Sequence, residues 1–261
     1  MSTTLPNPPA TPVASLPMNR REFVAGAAVL AALTIGGKAL GSPPELNPAR
    51  VGVLVDLTRC VGCRRCEWAC AEANANPHGA IEEYDDQSVM TSRRAPTADQ
   101  FCVINRVPAA QGASEAAFMK VQCMHCEKPP CVSACLVGAM RKDPSGPVTY
   151  DASRCIGCRY CMMACPYKAR SFVHEPLADQ KPDVPRGKGC GESCTQCVHR
   201  IDRGEKMTAC AEACARAGHH AIVFGDLNDP ASEIARRVRE LRTTALRADL
   251  KLDPGVRYQG L

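Results

Sequence analysis

The chain has 261 residues, only 4% of them aromatic, with one Trp, 21 Pro, 19 Gly, 18 Cys and a formal charge of +5. So few bulky apolar side chains bury little surface per residue, and a stable fold then needs covalent or metal staples, which the cysteines are numerous enough to supply. The charge is modest and spread along the chain with no basic run interleaved with aromatics, which excludes the footprint of a nucleic-acid-binding protein.

Residues 1–41 read as an export signal. A Pro/Ser/Thr-rich leader precedes Arg20, Arg21 and Phe23, and an Ala/Gly-rich apolar stretch runs from Val24 to Gly37. That stretch is short for a membrane span, and Gly36, Gly37 and Lys38 interrupt it. Paired arginines before a mild apolar segment look like a twin-arginine signal, and Ala39 and Gly41 suit cleavage before Ser42.

Four cysteine motifs follow. The first is Cys60, Cys63, Cys66 and Cys70; the second is Cys123, Cys126, Cys131 and Cys135. The third is Cys155, Cys158, Cys161 and Cys165, followed by Pro166; the fourth is Cys194, Cys197, Cys210 and Cys214. Short apolar strands are predicted at Val51–Leu57 and Val148–Asp151, entering the first and third motifs, and at Ala139–Lys142 and Ala221–Phe224, leaving the second and fourth. Residues 71–122 form an insertion with a predicted strand at Phe101–Val107, read most simply as a docking surface. A helix is predicted over 230–248, with Asp229 and Pro230 at its start and an apolar stripe of Ile234, Val238, Leu241 and Ala245. Its other face carries Arg236, Arg237, Arg239 and Arg242, and the tail beyond it reads as a segment lying across a partner.

The first and third motifs are copies of one another. Beyond the cysteines they share Asp56/Asp151, Arg59/Arg154, Gly62/Gly157, Arg64/Arg159 and Ala69/Ala164. The second and fourth share a split layout, so the chain reads as a duplicated unit. Three thiolates at short intervals in a tight loop wrap one cubane, and the fourth Cys, on the helix beyond, reaches the other cluster of a pair. Gly62 and Gly157 stand where the loop must turn sharply and backbone N–H groups face sulfide. Zinc favours paired Cys-x2-Cys units closing one tetrahedron, disulfides rarely close over so few residues, and no Cys-x2-Cys is followed by His as c-type haem requires. The expected fold class is α+β: duplicated two-cluster ferredoxin-like units with short strands, short helices and long loops over residues 42–228, holding four [4Fe–4S] clusters.

Two cysteines and several charges fall outside this count. Cys102 and Cys190 read as spare ligands or an exported disulfide on one view, and as a buried small residue and a loop thiol on the other; the complete set of sixteen favours the second. His125 and His199, beside ligand positions, offer a hydrogen bond or pack. Lys128, Arg159, Lys168 and Arg200 tune potential or are solvated. No nucleotide loop, Ser/His/Asp constellation or spare metal site is legible, so no substrate-converting site of the chain's own is expected.

From Val51 to Asp226 the residues resemble the four-cluster ferredoxin-like subunits of membrane oxidoreductases, the dimethyl sulfoxide and polysulfide reductase B-subunit family. The stretch Cys123 to Cys135, the run Cys155 to Tyr167, and Cys194 with Arg200, Gly204 and Cys210 carry the resemblance. It implies four ligand sets: Cys60, Cys63, Cys66 with Cys214; Cys70 with Cys194, Cys197, Cys210; Cys123, Cys126, Cys131 with Cys165; and Cys135 with Cys155, Cys158, Cys161. The two ferredoxin units would then be interleaved. The layout looks most like the periplasmic DsrO-type subunits of DsrMKJOP sulfur-metabolism complexes, and is similar to the hydrogenase-2 ferredoxin-like subunit. The resemblance implies a periplasmic electron-transfer subunit, exported folded, without a transmembrane helix in its mature chain. Its partners would be a quinone-interacting integral membrane subunit and a multihaem cytochrome or molybdopterin subunit; a freely diffusing polyferredoxin is the other reading.

Overall fold

The computed structural model describes residues 49–108, 116–177 and 181–261. The export signal expected over 1–41, with Arg20 and Arg21, lies outside the described residues. Among those described, no helix is long and apolar enough to cross a membrane.

Strand β1 (Val51–Asp56) leads into the first cysteine loop, and helix α1 (Arg65–Ala73) follows it. Strands β2 (Val103–Val107) and β3 (Ala117–Val121) pair antiparallel and feed the second loop, whose short helix α2 (Pro130–Ser133) runs on to β4 (Met140–Lys142). Strand β5 (Val148–Tyr150) pairs with β4 and enters the third loop, with α3 (Tyr160–Ala164) and β6 (Ser171–Phe172) beyond. Strand β7 (Gly191–Glu192), paired with β6, opens the fourth loop; α4 (Val198–Ile201), α5 (Ala209–Arg216) and β8 (Ile222–Asp226) come after it. The chain closes with α6 (Glu233–Glu240), β9 (Thr243–Thr244) and β10 (Val256–Gln259). Mixed small sheets and short helices make this an α+β architecture.

Three of the strand pairs join a segment leaving one cysteine loop to a segment entering another. β8, leaving the fourth loop, pairs antiparallel with β1, entering the first, with Val53 opposite Phe224. Together with β10 and β9 they make a sheet of order β8-β1-β10-β9. Strand β1 sits inside it, and its apolar run is buried on both faces, as an interior strand requires. Val53 and Val55 face the cysteine helices, packing with Cys66, Cys210 and Cys214, while Leu54 faces Val223 and Ile234 of α6. Full burial of each such side chain is worth about 1.5–3 kcal/mol.

The C-terminal segment differs from its sequence expectation. The helix covers Glu233–Glu240 rather than 230–248, and Ser232 caps it, its Oγ accepting from the Ala235 N–H at 3.2 Å. The helix stops because Leu241 is extended and the β-branched Thr243 and Thr244 pair with Gln259 and Tyr258. The tail beyond does not lie free for a partner: β10 runs parallel to β1, with Val53 opposite Val256 and Val55 opposite Tyr258. Arg237, expected on a solvated face, turns inward to Asp56 at 2.5 Å.

The insertion 71–122 also divides. Its 3-10 turns at Ile81–Asp85 and Ser88–Thr91 are largely exposed, as a docking surface would be. Its later part is core instead: Phe101, Cys102, Val103, Ile104, Lys120 and Gln122 are all buried. The cause is Glu67 on α1, fully buried, which accepts from the Ile104 N–H at 2.5 Å, Arg94 at 2.7 Å, Gln100 at 2.9 Å and Arg64 at 3.0 Å.

Candidate metal centres

In every motif the residue before the second cysteine has left-handed backbone: Gly62 (φ 73°), His125 (φ 45°), Gly157 (φ 71°) and Gln196 (φ 56°). That conformation folds the loop back so that successive thiols face inward. At Gly62 a Cβ would lie 2.6 Å from the Phe118 ring, and at Gly157 it would lie 2.7 Å from the Gly189 carbonyl oxygen, so only glycine fits. His125 takes the same turn with a side chain, and its Nδ1 accepts the Val148 N–H at 2.9 Å. Burial pushes its imidazole down to about 3, so it is a neutral acceptor there.

The repeated aspartates also have a local task. Asp56 accepts from the Thr58 N–H at 3.0 Å and its hydroxyl at 2.5 Å, and Asp151 accepts from the Ser153 N–H at 3.0 Å and its hydroxyl at 2.6 Å. Each closes the turn that starts its cysteine loop. Arg64 and Arg159, both left-handed, lay their guanidinium groups over the rings of Tyr84 at 4.9 Å and Phe172 at 4.2 Å.

The third and fourth cysteines of each motif are four residues apart, one helical turn along the same face. Cys66 and Cys70 are on the buried side of α1, and Cys210 and Cys214 on that of α5, and these two helices pack together. Helices α2 and α3, carrying Cys131 and Cys161, pack likewise. Helices α1 and α5 each carry both their third and fourth cysteines, whereas Cys135 and Cys165 follow just after the ends of α2 and α3.

Four neighbourhoods of thiols result. Cys60, Cys63, Cys66 and Cys214 line one small space, walled by Val55, Ile104 and Ile222. Cys135, Cys155, Cys158 and Cys161 line another, walled by Met140, Tyr150 and Ile156. Burial pushes the Cys126 thiol up to about 12, with the Cys123, Cys131 and Cys165 sulfurs adding to it. Burial likewise pushes Cys197 up to about 12, with Cys210 beside it, and Cys194 and Cys197 both bear on Cys70. None of the eighteen cysteines is joined in a disulfide.

These surroundings fit cubane ligation. Backbone N–H groups donate to ligand sulfurs from Ala221 to Cys214 at 3.2 Å, from Met140 to Cys135 at 3.4 Å and from Gln196 to Cys194 at 3.4 Å. Such donors stabilise negative charge on sulfur. Thiols whose pKa burial raises would need a bound metal to deprotonate them. Among the described residues no three His, Cys, Asp or Glu side chains close on a point as a single ion requires.

Cys102 and Cys190 stand apart from one another, each beside a different set. Cys102 is buried next to Cys70 and donates to the Cys66 carbonyl oxygen at 3.6 Å; Cys190, also buried, neighbours Cys155 and donates to the Ala152 carbonyl oxygen at 3.4 Å. His199 is buried, and its imidazole is pushed below the usual range by that burial. Lys128, Arg159 and Lys168 are exposed, while Arg200 is paired with Glu205 and Glu212. The buried cations beside the thiols are others: Lys120, Arg170 and the Glu67-paired Arg64. Nothing in the motif spacing marks Lys120 or Arg170, and adjacent Met119 and Lys120 are both buried, so no alternation along β3 picks Lys120 out.

Comparison with known proteins agrees with this chemistry. The 4Fe-4S dicluster domain family matches residues 114–226. The chain is 36% identical to the Hdr-like menaquinol oxidoreductase iron-sulfur subunit 1 of Archaeoglobus fulgidus, over 94% of this chain and 98% of that protein. It is 34% identical to the tetrathionate reductase B-subunit of Salmonella typhimurium, covering 85% and 75% of the two chains. The putative dimethyl sulfoxide reductase iron-sulfur B-subunit of Halobacterium salinarum is 32% identical, covering 79% and 78%. With cysteine loops, facing helices and these relatives in agreement, the chain belongs to the family of ferredoxin-like [4Fe–4S] iron–sulfur subunits of membrane-associated oxidoreductase complexes.

Proposed function

We propose that this chain is a periplasmic electron-transfer subunit with four [4Fe–4S] clusters, linking a quinone-interacting membrane subunit to a second redox subunit of a respiratory or sulfur-metabolism complex. The observation that carries the reading is that the fourth cysteine of each motif neighbours the thiols of a facing motif. It supports giving Cys60, Cys63, Cys66 and Cys214 to one cluster, and Cys70, Cys194, Cys197 and Cys210 to its neighbour. Cys123, Cys126, Cys131 and Cys165 hold a third, and Cys135, Cys155, Cys158 and Cys161 a fourth. The units are duplicated and interleaved, since the motif that follows β1 is completed by the motif that precedes β8.

A bound cubane supplies one-electron chemistry; the chain's own part is to space the sets, exclude water and present one of them to a partner. Cys158 is exposed, and Leu136, Ile156 and Met163 around that set are 70%, 64% and 83% exposed. That apolar rim supports a docking face for the redox partner at the fourth set. The menaquinol oxidoreductase name of one relative supports a quinone-side membrane partner. The tetrathionate and dimethyl sulfoxide reductase names favour a second reading, with a molybdopterin catalytic subunit as partner. Export folded, by a twin-arginine signal over residues 1–41, would let clusters be inserted before translocation.

Anaerobic purification of the tagged chain from solubilised membranes tests the proposal. A membrane subunit that reduces the clusters from a menaquinol analogue, with a multihaem cytochrome in the same complex, supports the first reading. A molybdopterin subunit supports the second. Quantitative recovery in the low-salt periplasmic fraction without partners refutes both.

A further inference from the structure

Lys120 lies on β3 with 1% of its surface exposed, and its Nζ has no hydrogen-bond partner among the described residues. An unpaired ammonium in such a place is costly, and cations that persist there have a counter-charge. No carboxylate takes that part. The nearby buried acid Glu67 is already occupied by Arg64, Arg94, Gln100 and the Ile104 N–H. What surrounds Lys120 is sulfur. It lines the space of Cys60, Cys63, Cys66 and Cys214 together with the Glu67-paired Arg64, and Cys102 first, then Cys210, Cys66 and Cys194, act on its charge. Its backbone is fixed independently of any cluster, by the pairing of Lys120 with Ile104 and by the Tyr258 hydroxyl, which donates to the Lys120 carbonyl oxygen at 2.8 Å.

We propose that Lys120 is the built-in counter-charge of the two clusters held by the first and fourth motifs, and that it raises their reduction potentials. Reduction adds one negative charge to a cluster, and a fixed buried cation favours the reduced form more than the oxidised one. The role is electrostatic positioning of potential; Lys120 is not a ligand. Arg170 makes an internal contrast. It is also buried, but it lies beside Cys123, Cys131 and Cys161, and it donates to Ser193 Oγ at 2.5 Å and the Gly191 carbonyl oxygen at 2.9 Å. The two cations thus serve different halves of the molecule.

The inference rests on the four-cluster reading, and its test separates the two. Wild type, Lys120→Met and Lys120→Arg are prepared anaerobically as the full chain, and iron and sulfide are counted before redox titration followed by electron paramagnetic resonance. Signals are assigned beforehand by single Cys→Ser changes in each set. Wild type without iron and sulfide defeats the cluster reading itself. With iron in place, Lys120→Met is expected to shift the one-electron equilibrium of the first- and fourth-motif clusters at least tenfold toward oxidised, about 59 mV. Lys120→Arg should restore it, and the other two clusters should not move. Full iron with unchanged potentials in Lys120→Met overturns the proposal. If Lys120→Met loses iron, Lys120→Arg decides. Full iron at wild-type potentials upholds a charge role; lost iron or lowered potentials there show that shape, not charge, is required, and overturn it.

Discussion

The Tyr258 hydroxyl donates to the Lys120 carbonyl oxygen across 2.8 Å, joining the last strand of the chain to the hairpin that feeds the second cysteine loop. Both residues are buried, and Tyr258 also faces Val55 across the parallel β1–β10 ladder. The C-terminus is therefore part of the cysteine-bearing core. Tyr258→Phe leaves that carbonyl without its donor and is expected to cost about 1–2 kcal/mol. A thermal melt would show this as a drop of about 2–4 °C per kcal/mol for a chain of this size. Ending the chain at Asp253 removes Val256 and Tyr258 together, more than about 5 kcal/mol of buried side chain, and should yield protein that does not retain iron. Full iron in that truncation would contradict the role given to β10.

Glu67 is the anchor of the insertion. Replacing it with Ala leaves Arg64 and Arg94 without their shared carboxylate in a region where both are largely buried. A loss of about 3–5 kcal/mol is expected, measured by denaturant titration, with proteolysis beginning between residues 81 and 105. Arg94→Ala alone should cost less, because Arg64, Gln100 and the Ile104 N–H still satisfy the carboxylate.

The repeated aspartates should not be equivalent. Asp151→Ala removes the turn bonds to Ser153 and a solvent-screened pair with Arg154, and is expected to cost little. Asp56→Ala removes the same bonds to Thr58 and also strands Arg237, which is largely buried, for about 3 kcal/mol. Equal losses in parallel melts would argue against the Arg237 contact.

Much of this is legible in the sequence because cluster ligation writes itself into local spacing. The cysteine intervals, Gly62 and Gly157, and the short strands at Val51, Val103, Met140, Val148 and Ile222 are all readable within a few residues of each other. What escapes is long-range. Strand β10 has four residues, and its pairing partner β1 is near the other end of the described chain, so no local pattern declares it. The amphipathic stripe through Leu241 and Ala245 predicts helix to 248, but Thr243 and Thr244 are drawn into pairing with the tail. His125 and Gln196 take the glycine position of the loop without being glycine, so the shared turn of all four motifs is visible only in the backbone. Lys120 carries no mark in the sequence that separates it from a surface lysine; the sulfurs gathered around it do.

Cys102 and Cys190 are expected to be dispensable for iron. Cys102→Ser and Cys190→Ser each leave all four sets complete, so iron and sulfide per chain should equal wild type. Cys70→Ser and Cys155→Ser, their neighbours within the sets, should lower both. Loss of about four irons in Cys102→Ser would make it a ligand and displace one of the sixteen.

Sixteen thiols holding four cubanes, with the first motif completed by the fourth and the second by the third, is the proposal on which the rest depends. Anaerobic iron and acid-labile sulfide analysis of the full chain, with Cys60→Ser and Cys214→Ser alongside, tests it most directly. About sixteen iron and sixteen sulfide per chain are expected, with both variants perturbing the same paramagnetic signal. Twelve or fewer of each in wild type, zinc without sulfide, or different signals lost in the two variants would contradict it.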